Sequence, residues 1–94
     1  VKILNQQLII DFTKKHPQAK PVLSKWSQVV LDSKWASSND VNSTFSTASL
    51  VKGIWIFNLG GNKFRLAASI KFQMDTLTVI SVMTHNEYNK DKWK

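Results

Sequence analysis

Ile54-Trp55-Ile56-Phe57-Asn58-Leu59-Gly60-Gly61-Asn62-Lys63-Phe64-Arg65-Leu66-Ala67-Ala68-Ser69-Ile70-Lys71-Phe72 reads as two β-strands and the turn between them. Ile54 to Phe57 is apolar at every position, the pattern of a strand covered on both sides. Gly60-Gly61-Asn62 is a hairpin turn signal, because Gly and Asn tolerate positive φ. From Lys63 to Phe72 the alternation is strict. Phe64, Leu66, Ala68, Ile70 and Phe72 fall on one face, and Lys63, Arg65, Ala67, Ser69 and Lys71 on the other. Met74-Asp75 gives a second turn, and Leu77 to Met83, rich in Val, Ile and Thr, gives a third β-run. The expected sheet is therefore an antiparallel meander.

Upstream the period is helical. Val1 to Leu4 is expected as a short first strand, with Asn5 as the N-cap of a helix over Gln6 to Lys15 that places Leu8, Ile9 and Phe12 on one side. Lys14, Lys15 and His16 suit the negative end of that helix, and Pro17 stops it. A second helix is expected from about Gln18 to Trp35, with Val22, Leu23, Trp26, Val29 and Val30 as its apolar stripe and Pro21 in its first turn. Ala36 to Leu50, rich in Ser, Thr, Asn and Asp, reads as a linker and the best candidate for a mobile loop, with Ser38 able to cap a short turn carrying Val41 and Phe45. Downstream, Thr84 caps a closing helix from His85 to about Trp93, and Glu87 completes a capping box. One α+β domain over residues 1–94 is expected, a small twisted antiparallel sheet with an N-terminal helical hairpin packed on one face and a short C-terminal helix. The other face of the sheet is left free.

Composition narrows the function. A chain of 94 residues with 43% hydrophobic content, four Trp and five Phe can bury a core of its own. The absence of Cys excludes disulfides and thiolate metal sites and fits a reducing cytoplasm. No apolar run approaches a membrane span, and Val1-Lys2-Ile3-Leu4 is too soon interrupted by polar residues to be a signal peptide, so a soluble, unexported protein is expected. Thirteen basic against six acidic residues give a net charge of +7, which attracts polyanions such as nucleic acid, an acidic membrane or an acidic protein.

Two groupings carry chemistry. The first is Lys63, Arg65 and Lys71, in register on one strand face. Arg65 is the only arginine among thirteen basic residues. Its rigid donor fork fits phosphate oxygens, whereas Lys is a mobile point charge. Register alone also allows a face that merely solubilises the strand. The second is Thr84-His85-Asn86-Glu87-Tyr88, where the last strand hands over to the last helix. Histidine exchanges its proton near neutrality, and helical spacing puts His85 and Tyr88 on one face. The same string is also a capping box with a packing tyrosine and a surface histidine.

Together, Asn58-Leu59-Gly60-Gly61-Asn62-Lys63-Phe64-Arg65-Leu66 and Thr84-His85-Asn86-Glu87-Tyr88 resemble the paired signature of the HigB toxins within the RelE-like superfamily. The similarity extends to Phe12-Thr13-Lys14-Lys15-His16-Pro17, to Leu23-Ser24-Lys25-Trp26 and to Trp35, so it covers nearly the whole chain. The family often has Tyr where Phe64 stands and Asp where Asn89 stands.

The resemblance implies the toxin of a type II toxin–antitoxin system, an endoribonuclease (mRNA interferase) that cuts mRNA, typically on the ribosome, and so inhibits translation. It implies a RelE-like fold, no metal and no cofactor, a cytoplasmic location and a cognate antitoxin of the HigA-like, helix-turn-helix kind, through which alone DNA would be bound. The implied chemistry is attack of a ribose 2′-OH on its phosphodiester, which needs a base, a donor to the leaving oxygen and cations for the developing charge. Arg65 is then expected to stabilise the phosphate, His85 to act as base or acid, and Tyr88 to donate a proton or orient the base, with Glu87 as another possible base for which the capping role competes. Lys63, Lys71, Asn62 and Lys90 are expected to bind RNA. The alternative is a basic RNA- or ribosome-binding module that does not cut, although the strand face lacks the aromatic side chains on which such modules stack bases.

Overall fold

The structure, a computed structural model, describes residues 1–61 and 63–89, the last of these by its backbone alone. Asn62 and Lys90, both expected to bind RNA, lie outside the described residues, as does the expected continuation of the last helix toward Trp93.

The fold is α+β. Strand β1 (Lys2–Leu4) is followed by helix α1 (Gln7–Lys15), a 3-10 turn at Pro17–Ala19, and helices α2 (Lys20–Asp32) and α3 (Ser38–Thr44). Strands β2 (Ser49–Val51), β3 (Ile54–Leu59), β4 (Phe64–Lys71) and β5 (Thr76–Thr84) then lead into α4 (His85–Asn89). The sheet order is β1-β5-β4-β3-β2, with β1 parallel to β5 and every other pair antiparallel.

The alternating run expected to decide the fold forms β4, with a neighbour on either side. Phe64, Leu66 and Ala68 are buried against the helices together with Trp55, Phe57 and Leu59 of β3 and Leu77 and Val79 of β5. Aromatic side chains lock the two layers. Trp26 of α2 meets Phe57 edge-on at 5.4 Å, and Phe12 of α1 meets Phe64 edge-on at 5.7 Å, the geometry that ring quadrupoles favour.

One irregularity keeps β5 in phase. Ala67 pairs with Ser81 but Ala68 pairs with Val79, so Ile80 is an extra residue. A strand's side chains alternate, and Val82 and Val79, three apart, could not otherwise both face the helices. The bulge resets the alternation, and Ile80 is left partly exposed.

Five expectations are corrected. Asn5 does not cap α1 with its side chain. It takes a left-handed φ of 66° that turns the chain from β1 into the helix, and its Nδ2 donates to the Val79 carbonyl at 3.0 Å. The second helix stops at Asp32, where Ser33 N–H bonds the Val30 carbonyl, and Trp35 reaches the core from the following loop.

The stretch from Ala36 to Leu50 is packed rather than loose. Asp40 accepts from the Ala36 N–H at 2.7 Å, Thr44 accepts from the Trp35 indole at 3.0 Å, and Val41 is fully buried. Its end forms β2, joined to β3 through Lys52 and Gly53, both at positive φ as a tight two-residue hairpin requires. The sheet thus has five strands rather than four.

Finally, the face away from the helical hairpin is not bare. Ile56, Ala67 and Met83 bury there, with Val51, Ile54 and Tyr88 packed against them. Among the described residues, no helix is long and apolar enough to cross a membrane.

A candidate phosphate-binding and proton-transfer site

The second face of the sheet carries the site. Arg65 is paired across β4 and β5 with Met83 and across β3 with Asn58, which places it in the middle of the sheet near the Gly60-Gly61 turn. Gly60 and Gly61 both take positive φ, and a Cβ on Gly60 would approach the Phe64 ring to 3.2 Å. The turn therefore needs glycine both for its backbone and for the aromatic ring packed against it.

β5 ends beside the start of β4, where Thr84 pairs with Phe64. The chain enters α4 there through a reciprocal capping box. The Thr84 N–H donates to Glu87 Oε1 at 2.9 Å, and the Glu87 N–H donates to Thr84 Oγ1 at 3.2 Å. The His85 N–H donates to the Lys63 carbonyl at 3.0 Å, tying the helix start to the residue before β4. This local chemistry, legible in the sequence as a capping box, fixes where His85 and Tyr88 stand.

The result is a convergent trio. Arg65 Nη2 lies 3.2 Å from His85 Nδ1, and the guanidinium carbon lies 5.4 Å from the centre of the Tyr88 ring, within cation–π range. Arg65 Nη1 donates to the carbonyl of Phe64 at 3.2 Å. Arg65 is only 8% exposed, His85 is exposed and Tyr88 is half-buried. The guanidinium is thus pinned by a carbonyl, an imidazole and an aromatic ring.

The nature of the Arg65–His85 contact depends on the tautomer of the imidazole. A guanidinium only donates, so the contact is a hydrogen bond only when Nδ1 carries a lone pair. That is neutral imidazole with its hydrogen on Nε2.

Of the residues expected to act, Arg65, His85 and Tyr88 come together and Lys63 adjoins them. Lys71 does not. It sits six residues along β4 from Arg65, which at strand rise is about 20 Å, and lines a separate hollow with Ala36 and Phe72. Nothing in the residue types marks the Phe64 carbonyl as an anchor, because any residue supplies the same group. Among the described residues, no group of three or more His, Cys, Asp or Glu is placed to hold a metal ion.

Comparison with known proteins agrees with this architecture. The chain is 26% identical over 90 residues, 93% of its length and 86% of the relative's, to the mRNA interferase toxin HigB of Escherichia coli K12. It has the same identity and coverage with proteins named mRNA interferase HigB from Escherichia coli O157:H7 and from Shigella flexneri. The family model for the HigB toxin matches residues 19–91, a span that contains Arg65, His85 and Tyr88. The chain belongs to the HigB toxin family, the RelE-like toxic component of a toxin–antitoxin system.

Proposed function

We propose that this toxin is an mRNA endoribonuclease that cuts without a metal, and that Arg65, His85 and Tyr88 are its catalytic residues. The observation that carries the reading is the 3.2 Å approach of Arg65 to His85 beneath the Tyr88 ring. Phosphodiester cleavage by an adjacent hydroxyl needs a cation fork, a proton acceptor and a proton donor within one small volume, and these residue types supply all three.

In this reading the scissile phosphate takes the Arg65 N–H that faces His85 Nδ1. The lone pair so released accepts the proton of the ribose 2′-OH as its oxygen attacks phosphorus. The bond from phosphorus to the 5′-oxygen breaks, and Tyr88 donates the proton that the leaving oxygen needs. The products are a 2′,3′-cyclic phosphate and a 5′-hydroxyl. Arg65 stays with the phosphoryl oxygens as charge builds on them, in a nearly water-free position where such a contact is worth most. Lys63 and, further along the strand, Lys71 hold neighbouring phosphates, with Asn62 and Lys90 assigned to the same task. Among the described residues the carboxylates are scattered and offer no converging oxygen set for a hard cation, which supports a metal-free route.

So few ionisable groups leave the orientation of the substrate to other contacts, and we assign that task to the ribosome. The partner is a cognate antitoxin of the HigA-like kind, whose own helix-turn-helix would bring the pair to DNA, and the pair works in the cytoplasm. The test is Arg65→Ala with mapping of new RNA 5′ ends on translating ribosomes. The parent should inhibit growth and create new ends, and the variant should do neither while keeping its circular-dichroism spectrum. An equally toxic variant, or a toxic parent that binds ribosomes and makes no new ends, overturns the reading.

A further inference from the structure

A hollow of about 220 Å³ opens on the far side of α4 from Arg65, between α1 and the edge of β5. β1 pairs only with Thr76–Thr78, so beyond that point no strand flanks β5 on this side among the described residues. The walls are Leu8, Asp11, Phe12, Lys15 and His16 from α1 and its end, and Glu87 from α4. His16 is stacked on Phe12, with ring centres 4.5 Å apart and planes 30° from parallel. Phe12 is in turn fixed edge-on against Phe64, the residue whose carbonyl holds Arg65. The outcome is a flat, half-buried heterocycle on a rigid aromatic support, with a carboxylate and an ammonium group beside it.

We infer that this hollow is a base-binding subsite for the RNA, with the nucleobase next to the cut stacking on His16 and its donor-bearing edge held by Asp11. The inference rests on the proposed RNA cleavage and names the specificity element for it. Glu87 lines the hollow two residues after His85, and in a helix such residues have Cα atoms about 5 Å apart on nearly opposite sides. A strand crossing the first turn of α4 can therefore leave a phosphate at Arg65 and drop the adjoining base into the hollow. Stacking on an aromatic support tolerates any base, so the discrimination falls to the edge. The Asp11 carboxylate only accepts; its Oδ1 takes the Gln7 side-chain amide at 2.9 Å on the exposed helix surface, a contact that the two adjacent N–H donors of guanine would share or displace as they meet the two oxygens. Uracil presents one donor between two carbonyls, which Asp11 repels. Lys15 offsets the acid's repulsion of the RNA backbone. The base bound best is guanine and the worst is uracil.

The test is NMR titration of the full chain with 3′-GMP, 3′-AMP, 3′-CMP and 3′-UMP, following the His16 and Phe12 ring signals, alongside cut-site mapping. Upfield movement of the His16 ring with 3′-GMP is expected, with affinity roughly fivefold or more above 3′-UMP. His16→Ala should weaken 3′-GMP by roughly 5- to 100-fold, the range that loss of one stacking surface gives, and His16→Phe should restore it. Asp11→Asn should erase the guanine preference in both binding and cut sites. Unmoved His16 signals, equal affinity for the four nucleotides, or an Asp11→Asn variant with the parent's preference each overturn the subsite, whatever the cutting does. A parent that makes no new RNA ends overturns the cleavage reading, whatever the titration does.

Discussion

Arg65 and His85 stand twenty positions apart in the chain and 3.2 Å apart in space. The pairing of β4 with β5 brings them together: Phe64 lies across from Thr84, so Arg65 and His85 sit diagonally on the same face and their side chains meet there. Burying a cation carries a desolvation cost that an apolar residue of similar volume avoids. Stability and function should therefore respond in opposite directions at this position. Arg65→Met should unfold at the parent's urea midpoint or above it, while the rate of RNA cleavage on ribosomes falls by about 10²–10³-fold or more, the loss seen when one transition-state donor is removed. A midpoint far below the parent's would show that the guanidinium is a structural element.

Thr84 should matter to both properties at once. Its hydroxyl accepts from the Glu87 N–H, and the Glu87 carboxylate accepts from the Thr84 N–H. Thr84→Ala removes half of that box, and loss of such a cap costs about 1 kcal/mol. His85 is the first residue of the helix so capped, so its approach to Arg65 should loosen as well. Urea unfolding should show the stability loss with an unchanged m-value, and cleavage should fall further than the lost folded fraction explains.

The parts of the fold that were legible in the sequence are those set by local rules. The period-two run in β4, the Gly60-Gly61 turn, the proline stop at Pro17 and the box of Thr84 and Glu87 each announce themselves through the residues that make them. What was not legible depends on distant partners. Asn5 looks like a cap, yet its side chain bonds Val79 across the sheet because the strand beside it happens to be β5. Ile80 reads as one more strand residue, and only the pairing of Ala67 and Ala68 makes it a bulge. Ala36 to Leu50 is polar enough to pass for a linker, and it is apolar residues within it, Val41, Phe45 and Ala48, that join the core beside Trp26, Trp35 and Phe57 and fold it down. For the candidate site, residue type and alternation pointed to Arg65 and His85. The separation of Lys71 from them followed only once distance along the strand was counted.

Leu66 tests the core that carries this site. It is fully buried in β4, one residue beyond Arg65 and facing the helices. Leu66→Ala should destabilise the protein by about 2–5 kcal/mol, the combined effect of lost transfer energy and the cavity left in a rigid layer. Calorimetry or urea unfolding gives the number directly. A loss under about 1 kcal/mol would mean that the hairpin of α1 and α2 collapses onto the sheet, and that the two layers are less tightly held than their aromatic contacts indicate.

The last prediction turns on length. Lys63 adjoins Arg65, whereas Lys71 is about 20 Å further along the same strand. Both belong to a basic chain of net charge +7, and the simple view treats every lysine as an equal contributor to RNA affinity. The geometry says otherwise. An RNA of three or four nucleotides centred on Arg65 should reach Lys63 but not Lys71, and one of a dozen or so should reach both. Oligonucleotides carrying 2′-O-methyl groups cannot be cut by 2′-OH attack, so binding can be measured apart from cleavage. With the short RNA, Lys63→Gln should reduce the salt dependence of binding by about 0.7 in the log–log slope, the value for one phosphate contact on a single strand, and Lys71→Gln should leave it unchanged. With the long RNA each variant should lose about that amount. Equal effects of Lys71→Gln at both lengths would mean that the lysine acts through the general field of the protein, and that the RNA does not run along β4.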